Sequence, residues 1–377
     1  MTLTRRDVSR ITAAGFAAGL LPRLASAQSA KTIKLGLMVP ITGNQAQYGA
    51  DMRRGAELAL EQLNAAKAVP GATLTLQVED SKGDPQEAAN VAQKFVAQGD
   101  IAAVIGDFSS TATLAAAPIY QRAGLIDITP VASHPDITKT GDYIFRDTPI
   151  AASECGAVTG WAKELNFQKV AIIGRNDDYG RAYGEIFSKQ AQANGATVVG
   201  EEYIAGDSQD LKPLITGMRA KQPAAVFLAL FQVEAALLFR QSSEMNFKPT
   251  FMSGAGLFNP QLLSLARDAA NGLLLVSTYF PDSDRPQVKD FVAAFKAKYN
   301  AVPSKFSAHT YDSVGMVVAA IKAAGSTDHA KIRDALATTK AYGGVTGDIS
   351  FDKDREVTYP LQRLTVEGGS FTLWRKA

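Results

Sequence analysis

Two hydrophobic patterns alternate along the chain. Short continuous apolar runs, such as "IKLGLMVP" (33–40) and "IAAVIGD" (101–107), read as buried strands. Between them lie segments whose apolar residues recur every three or four positions. In "DMRRGAELALEQLN" (51–64), Met52, Ala56, Leu60 and Leu63 fall on one helical face. "TLTLQVED" (73–80) alternates strictly, with Leu74, Leu76 and Val78 on one side of a strand. Asp84-Pro85 has the form of a helix start, an aspartate cap followed by a proline whose missing N–H costs nothing there. That helix runs to a stop at Gly99, and "TATLAAAPIYQRAG" (111–124) and "LIDITPVA" (125–132) supply the next helix and strand.

A second series begins near Ala151. The helices are "SECGAVTGWAKELNF", "GRAYGEIFSKQAQANG", "DLKPLITGMRAKQ" and "VEAALLFRQSSEMN"; the strands are "KVAIIGRND", "TVVGEEYI", "PAAVFLALF" and "PTFMSGAG". Buried strands alternating with helices predict parallel sheets covered on both faces, and two such series predict two doubly wound α/β lobes. The tail "DISFDKDREVTYPLQRLTVEGGSFTLW" is strand-rich, with turns at "DKDR" and "EGGS". It reads as hairpin material completing a lobe or hinge.

The first residues fit neither pattern. "TRRDVSR" carries paired arginines, an apolar run of 11 residues comes next, and Ala25-Ser26-Ala27 has the A-x-A form cut by signal peptidase. The run is too short to span a bilayer. Residues 1–27 are therefore expected to be a cleaved signal of twin-arginine type, which places the protein in the periplasm. Without them, 35 basic and 36 acidic residues remain, a balance that argues against a nucleic-acid-binding surface. The single cysteine, Cys155, excludes an internal disulfide.

Chemistry concentrates in "IGDFSSTATLAAAP" (105–118), where a strand passes through a hydroxyl-rich loop into a helix. In open α/β sheets such loops lie at the carboxyl ends of strands, where ligands bind, and a helix N-terminus favours an anion. A serine hydrolase would need a base; His134 is the candidate for Ser110, but no G-x-S-x-G elbow is present. The phosphate-loop motif and metal-ligand spacings are absent, and no cofactor is implied. A carboxylate or a neutral polar ligand, held without chemistry, is what remains.

The segments "IKLGLMVPITGNQAQYGADMRRGAELALEQLN", "GDPQEAANVAQKFV", "VIGDFSSTATLAAAPIYQRAGL", "ITPVASHPDIT", "DDYGRAYGEIF", "FMSGAG" and "HTYDSVGMVVAAI" resemble, in order, the leucine/isoleucine/valine-binding protein family. These are type I periplasmic receptors of ABC importers. The resemblance implies a monomer of two Rossmann-like lobes joined by three crossovers, closing on a small carboxylate and delivering it to permease subunits in the inner membrane. It assigns 28–150 and 280–350 to lobe 1, and 151–279 and 351–377 to lobe 2. It places Ser110 and Ser133 on the ligand carboxylate, with Val131 offering backbone and Phe108 and Ser109 in the same loop. Tyr48 and Tyr179 would wall and close the pocket, and Phe231 and Phe306 occupy further aromatic positions. The family's disulfide positions hold Gly83 and Ser109 here, so a less rigid first loop is expected.

One departure bears on the ligand. Amino-acid binders of this family carry a glutamate after "FM" that pairs with the α-ammonium; the matching residue here is Ala255. A buried ammonium without a counter-charge is costly. The expected ligand is thus an aromatic carboxylate lacking an α-amino group, of benzoate or cinnamate type, which some members of the family take. The alternatives are an amino acid whose ammonium meets Glu234 or Asp312, and a small amide or urea. Asp127, inside a strand, is expected to be a buried ion-pair member or a hydrogen-bond acceptor near the cleft.

Overall fold

A computed structural model describes residues 31–375. The expected signal segment lies outside them. The chain first builds β1 (Lys31–Val39), α1 (Ala46–Ala65), β2 (Ala72–Asp80), α2 (Pro85–Gln98), β3 (Ile101–Gly106), α3 (Ser110–Ala123), β4 (Asp127–Thr129) and β5 (Ile144–Arg146). Its strands form a wholly parallel sheet of order β2-β1-β3-β4-β5. The fully buried β1 and β3 residues lie at its centre, as continuous apolar runs require.

The second series comprises α4 (Ala151–Glu164), β6 (Lys169–Arg175), α5 (Asp178–Ala193), β7 (Thr197–Ile204), α6 (Lys212–Ala220), β8 (Ala225–Ala229), α7 (Gln232–Glu244), β9 (Thr250–Ser253), α8 (Pro260–Ala266) and β10 (Leu274–Ser277). The chain then crosses back through α9 (Pro286–Tyr299), α10 (Lys305–Ala324), α11 (His329–Ala337) and the small ribbon β11 (Tyr342–Gly343) and β12 (Asp348–Ile349). It ends in the hairpin β13 (Gln362–Glu367) and β14 (Ser370–Leu373). The second sheet runs β14-β13-β10-β9-β8-β6-β7, with the hairpin antiparallel on β10. These are the two doubly wound lobes that the alternation of strands and helices predicts.

Local chemistry sets the element ends. Asp84 caps α2 by accepting from the Gln86 and Glu87 N–H groups, and Gly99 ends that helix with φ of 68°. Two expected strands are shorter. β4 stops at Thr129, because Pro130 has no N–H for the ladder, and Thr129 Oγ1 instead accepts from Ala132 N. β9 stops at Ser253, whose hydroxyl donates to the Leu228 carbonyl before a 3₁₀ turn at Ala255–Leu257. Both early stops turn the succeeding residues into the cleft.

The last crossing between sheets falls near residue 360 rather than 351. Phe351 packs on Phe145 at 5.3 Å, and Arg355 donates to the carbonyls of Ile144 and Thr138, both beside the first sheet. The three crossovers meet on α10. Asp147 of the first accepts from Ser313 Oγ at 2.9 Å and from Tyr359 Oη of the third. Thr278 of the second bonds His309 Nε2 at 2.7 Å. Burial and Lys305 hold His309 down to about 3, so its imidazole is neutral there.

Candidate functional site

The loop after β3 is assembled by its own backbone. Asp107 Oδ1 accepts from Ser109 N at 2.8 Å, and the Ser109 hydroxyl caps α3 through Ala112 N. Ser109 thus holds the loop by hydrogen bonds and does not face the ligand cavity. Ser110 is the first residue of α3, and its N–H and that of Thr111 have no acceptor within the helix. Hydroxyl and helix N-terminus together make a concave anion-binding corner.

Phe108, Ser110, Val131 and Ser133 enter the cavity from the first lobe, as does Phe306 from the start of α10. Tyr179 and Phe231 enter from the second. Of the ten residues singled out in the sequence, seven line one cavity. Tyr48 lies behind Phe108, stacked on it at 4.1 Å, and its hydroxyl accepts from Gln232 N across the cleft at 2.9 Å. Ala255 is buried and presents only its N–H, to Glu154.

The rings touch one another. Phe108 and Phe231 lie 4.9 Å apart, Tyr179 stacks on Phe231 at 4.9 Å, and Phe306 meets Tyr48 edge-on at 4.8 Å. The cavity among them is about 20 Å³, room for a single water. The lobes are bridged by the Ser133 hydroxyl donating to Tyr183 Oη at 3.0 Å, whose own proton goes to Glu154, and by Asp178 N donating to Thr111 Oγ1 at 3.3 Å.

Four lining residues escaped the sequence reading: Glu154, Tyr183, Gly256 and Lys305. Tyr183 was reachable, since it lies four residues beyond Tyr179 on the same face of α5. Glu154, in the first turn of α4, accepts from Ala255 N at 2.8 Å and Tyr183 Oη at 3.0 Å. The loop after "FM" is therefore not without a carboxylate; one reaches it from another helix. A Cβ at Gly254 would fall 2.3 Å from Glu154 Oε2, so this approach needs glycine. Lys305 is 4% exposed. Its ammonium sits 4.9 Å from the Phe306 ring centre, with no carboxylate in ion-pair range among the described residues. Burial lowers its pKa and Glu154 opposes that.

The other candidates lie elsewhere. Glu234 pairs with Arg175, and Asp312 is consumed by Val345 N, Thr346 N and the Thr346 hydroxyl. Neither meets the cavity. Among the described residues Asp127 is neither ion-paired nor a hydrogen-bond acceptor: both oxygens lack partners, and the neighbouring acidic group is Asp107, at the start of the loop after β3. His134 Nδ1 accepts from Asp136 N in its own loop, and His134 is not among the residues that line the cavity with Ser110. Among the described residues no cluster could hold a metal ion, and no helix is long and apolar enough to cross a membrane.

Residues 32–370 match the family model described as periplasmic binding protein. The chain is 32% identical over 342 residues to the leucine-, isoleucine-, valine-, threonine- and alanine-binding protein of Pseudomonas aeruginosa, covering 90% of this chain and 91% of that one. It superposes with a TM-score of 0.85 on the substrate-binding protein LivJ of a Streptococcus pneumoniae branched-chain amino acid transporter, in complex with isoleucine, at 30% identity over 90% and 98% of the two chains. An R. palustris ABC-transporter solute-binding protein in complex with benzoate shares the fold at a TM-score of 0.85 and 20% identity, over 91% and 95%.

Proposed function

The chain belongs to the periplasmic binding protein family, as an extracytoplasmic solute-binding receptor of an ABC transporter rather than an enzyme, and from that premise we propose that its cleft binds a small aromatic carboxylate lacking an α-amino group. The observation that carries this reading is the sign of the unpartnered charge in the cavity. Glu154 already accepts two hydrogen bonds, whereas among the described residues the Lys305 ammonium makes none. A buried charge is stable only when paired, so the site favours an anion. Ser110 and the open N–H groups of α3 supply donors beside it.

Phe108, Tyr179, Phe231 and Phe306 suit an aromatic body. They fill the cavity against one another, and a bound ring takes over these stacked and edge contacts as the lobes part and close again. The same fold holds benzoate in the R. palustris protein.

Glu154 favours a second reading, a branched-chain amino acid whose ammonium meets that carboxylate, in line with what the P. aeruginosa and S. pneumoniae proteins bind. A thermal-shift screen separates the two, because a ligand that binds only the folded protein raises its midpoint in proportion to RT ln(1 + [L]/Kd). Benzoate-, hydroxybenzoate- or cinnamate-type acids are expected to raise it and leucine, isoleucine and valine to leave it unchanged; the reverse pattern selects the amino-acid reading.

A further inference from the structure

Lys305 is placed against three physical preferences at once. It is buried, it has no carboxylate in ion-pair range among the described residues, and it stands in the first turn of α10, where the helix dipole opposes positive charge. Its ammonium also disfavours charge on His309, one turn further along the helix. Its ammonium rests on the Phe306 ring, and Phe306 itself supplies the contact with Tyr48 and Phe108.

The two charged residues of the cavity come from opposite lobes. Lys305 arrives with Ser110, Val131 and Ser133, whereas Glu154 arrives with Tyr179, Tyr183 and Gly256. Glu154 is fixed by Tyr183 Oη and Ala255 N, and it acts on Lys305 through space. The lobe that presents the hydroxyl corner thus also presents the ammonium, and the closing lobe brings the carboxylate up to it.

We propose, building on the acid reading above, that Lys305 is the specificity-determining residue of the cleft. Its ammonium pairs with the ligand carboxylate, and it occupies, facing Glu154, the position of positive charge that the ammonium of a bound amino acid would need. An amino acid would bring a second ammonium into the same small, desolvated space, where like charges repel strongly. An acid without that group meets only attraction from the first lobe.

Equilibrium dialysis with labelled benzoate and labelled leucine tests this on the wild type, Lys305→Met, Lys305→Arg and the double variant Lys305→Met/Glu154→Gln, each checked for cooperative unfolding. The wild type is expected to retain benzoate and not leucine. Lys305→Met should bind benzoate at least 10-fold more weakly and acquire leucine binding, through the released Glu154. That gain should vanish in the double variant. Lys305→Arg, which keeps the charge, should keep the preference for benzoate. Benzoate affinity within 3-fold of wild type in Lys305→Met, without leucine binding, overturns the inference, as does loss of the preference in Lys305→Arg. A wild type that takes leucine and not benzoate sinks the acid reading alone: tighter leucine binding by Lys305→Met would then still uphold Lys305 as the residue opposing an ammonium, and unchanged or weaker leucine binding would overturn that too. A wild type that retains neither compound overturns both.

Discussion

Individual side chains divide the cleft between grip and wall. In the proposed grip, Ser110 adds its O–H to the open N–H groups of α3. Ser110→Ala should therefore weaken acid binding by about 1–3 kcal/mol, the worth of a hydrogen bond to a charged group, while leaving the thermal midpoint of the free protein nearly unchanged. Unaltered affinity in a titration would remove Ser110 from the grip. Beneath the same loop, Asp127 and Asp107 are neighbouring buried carboxyl groups. Burial first, then Asp107, pushes the Asp127 carboxyl well above its ordinary value, and burial pushes Asp107 up to about 7. A folded value above the unfolded one means that the native state holds the proton more tightly. Stability is then full below about pH 4, the ordinary carboxyl value, and falls as pH rises from there through the raised value. Asp127→Asn should accordingly be more stable than wild type at pH 7.5, with most of that gain gone near pH 4. Urea denaturation at the two pH values measures it, and a gain that does not shrink on acidification would show that the effect is not one of charge.

At the scale of elements, most of the architecture was legible, because caps and breakers act locally. Asp84-Pro85 and Gly99 bound α2 where the chemistry of those residues places them, and the alternating segment 73–80 forms β2. The stops of β4 and β9 were harder, since the apolar runs continue past them. Pro130 ends β4, and β9 gives way to a 3₁₀ turn held close by Glu154. Ser109 was legible as part of the loop but not as its cap, because the residue before a helix and the first residue in it are both serine. Ser109→Ala should cost about 1 kcal/mol of stability by removing the bond to Ala112 N. It should also weaken acid binding less than Ser110→Ala does. Denaturant midpoints and titrations of the two variants rank them, and an equal or larger binding loss for Ser109→Ala would reverse the assigned roles.

At the scale of the whole molecule, the site exists only because two lobes meet. Glu154 and Lys305 are 151 positions apart, on α4 and α10, and no local pattern announces that they share a cavity. The residue types were readable and their juxtaposition was not. The crossovers make that meeting reproducible: Asp147, Thr278 and Tyr359, one from each, are tied through Ser313 and His309 of α10, the helix that also delivers Lys305 and Phe306. These ties fall in the first half of α10, and its first turn lines the cavity. The central claim is that the cavity is built for an acid without an ammonium group. Calorimetric titration of the purified receptor with benzoate and then leucine tests it most directly. Saturable heat with benzoate, and none with leucine at the same concentrations, is the predicted result; saturable heat with leucine alone would contradict it.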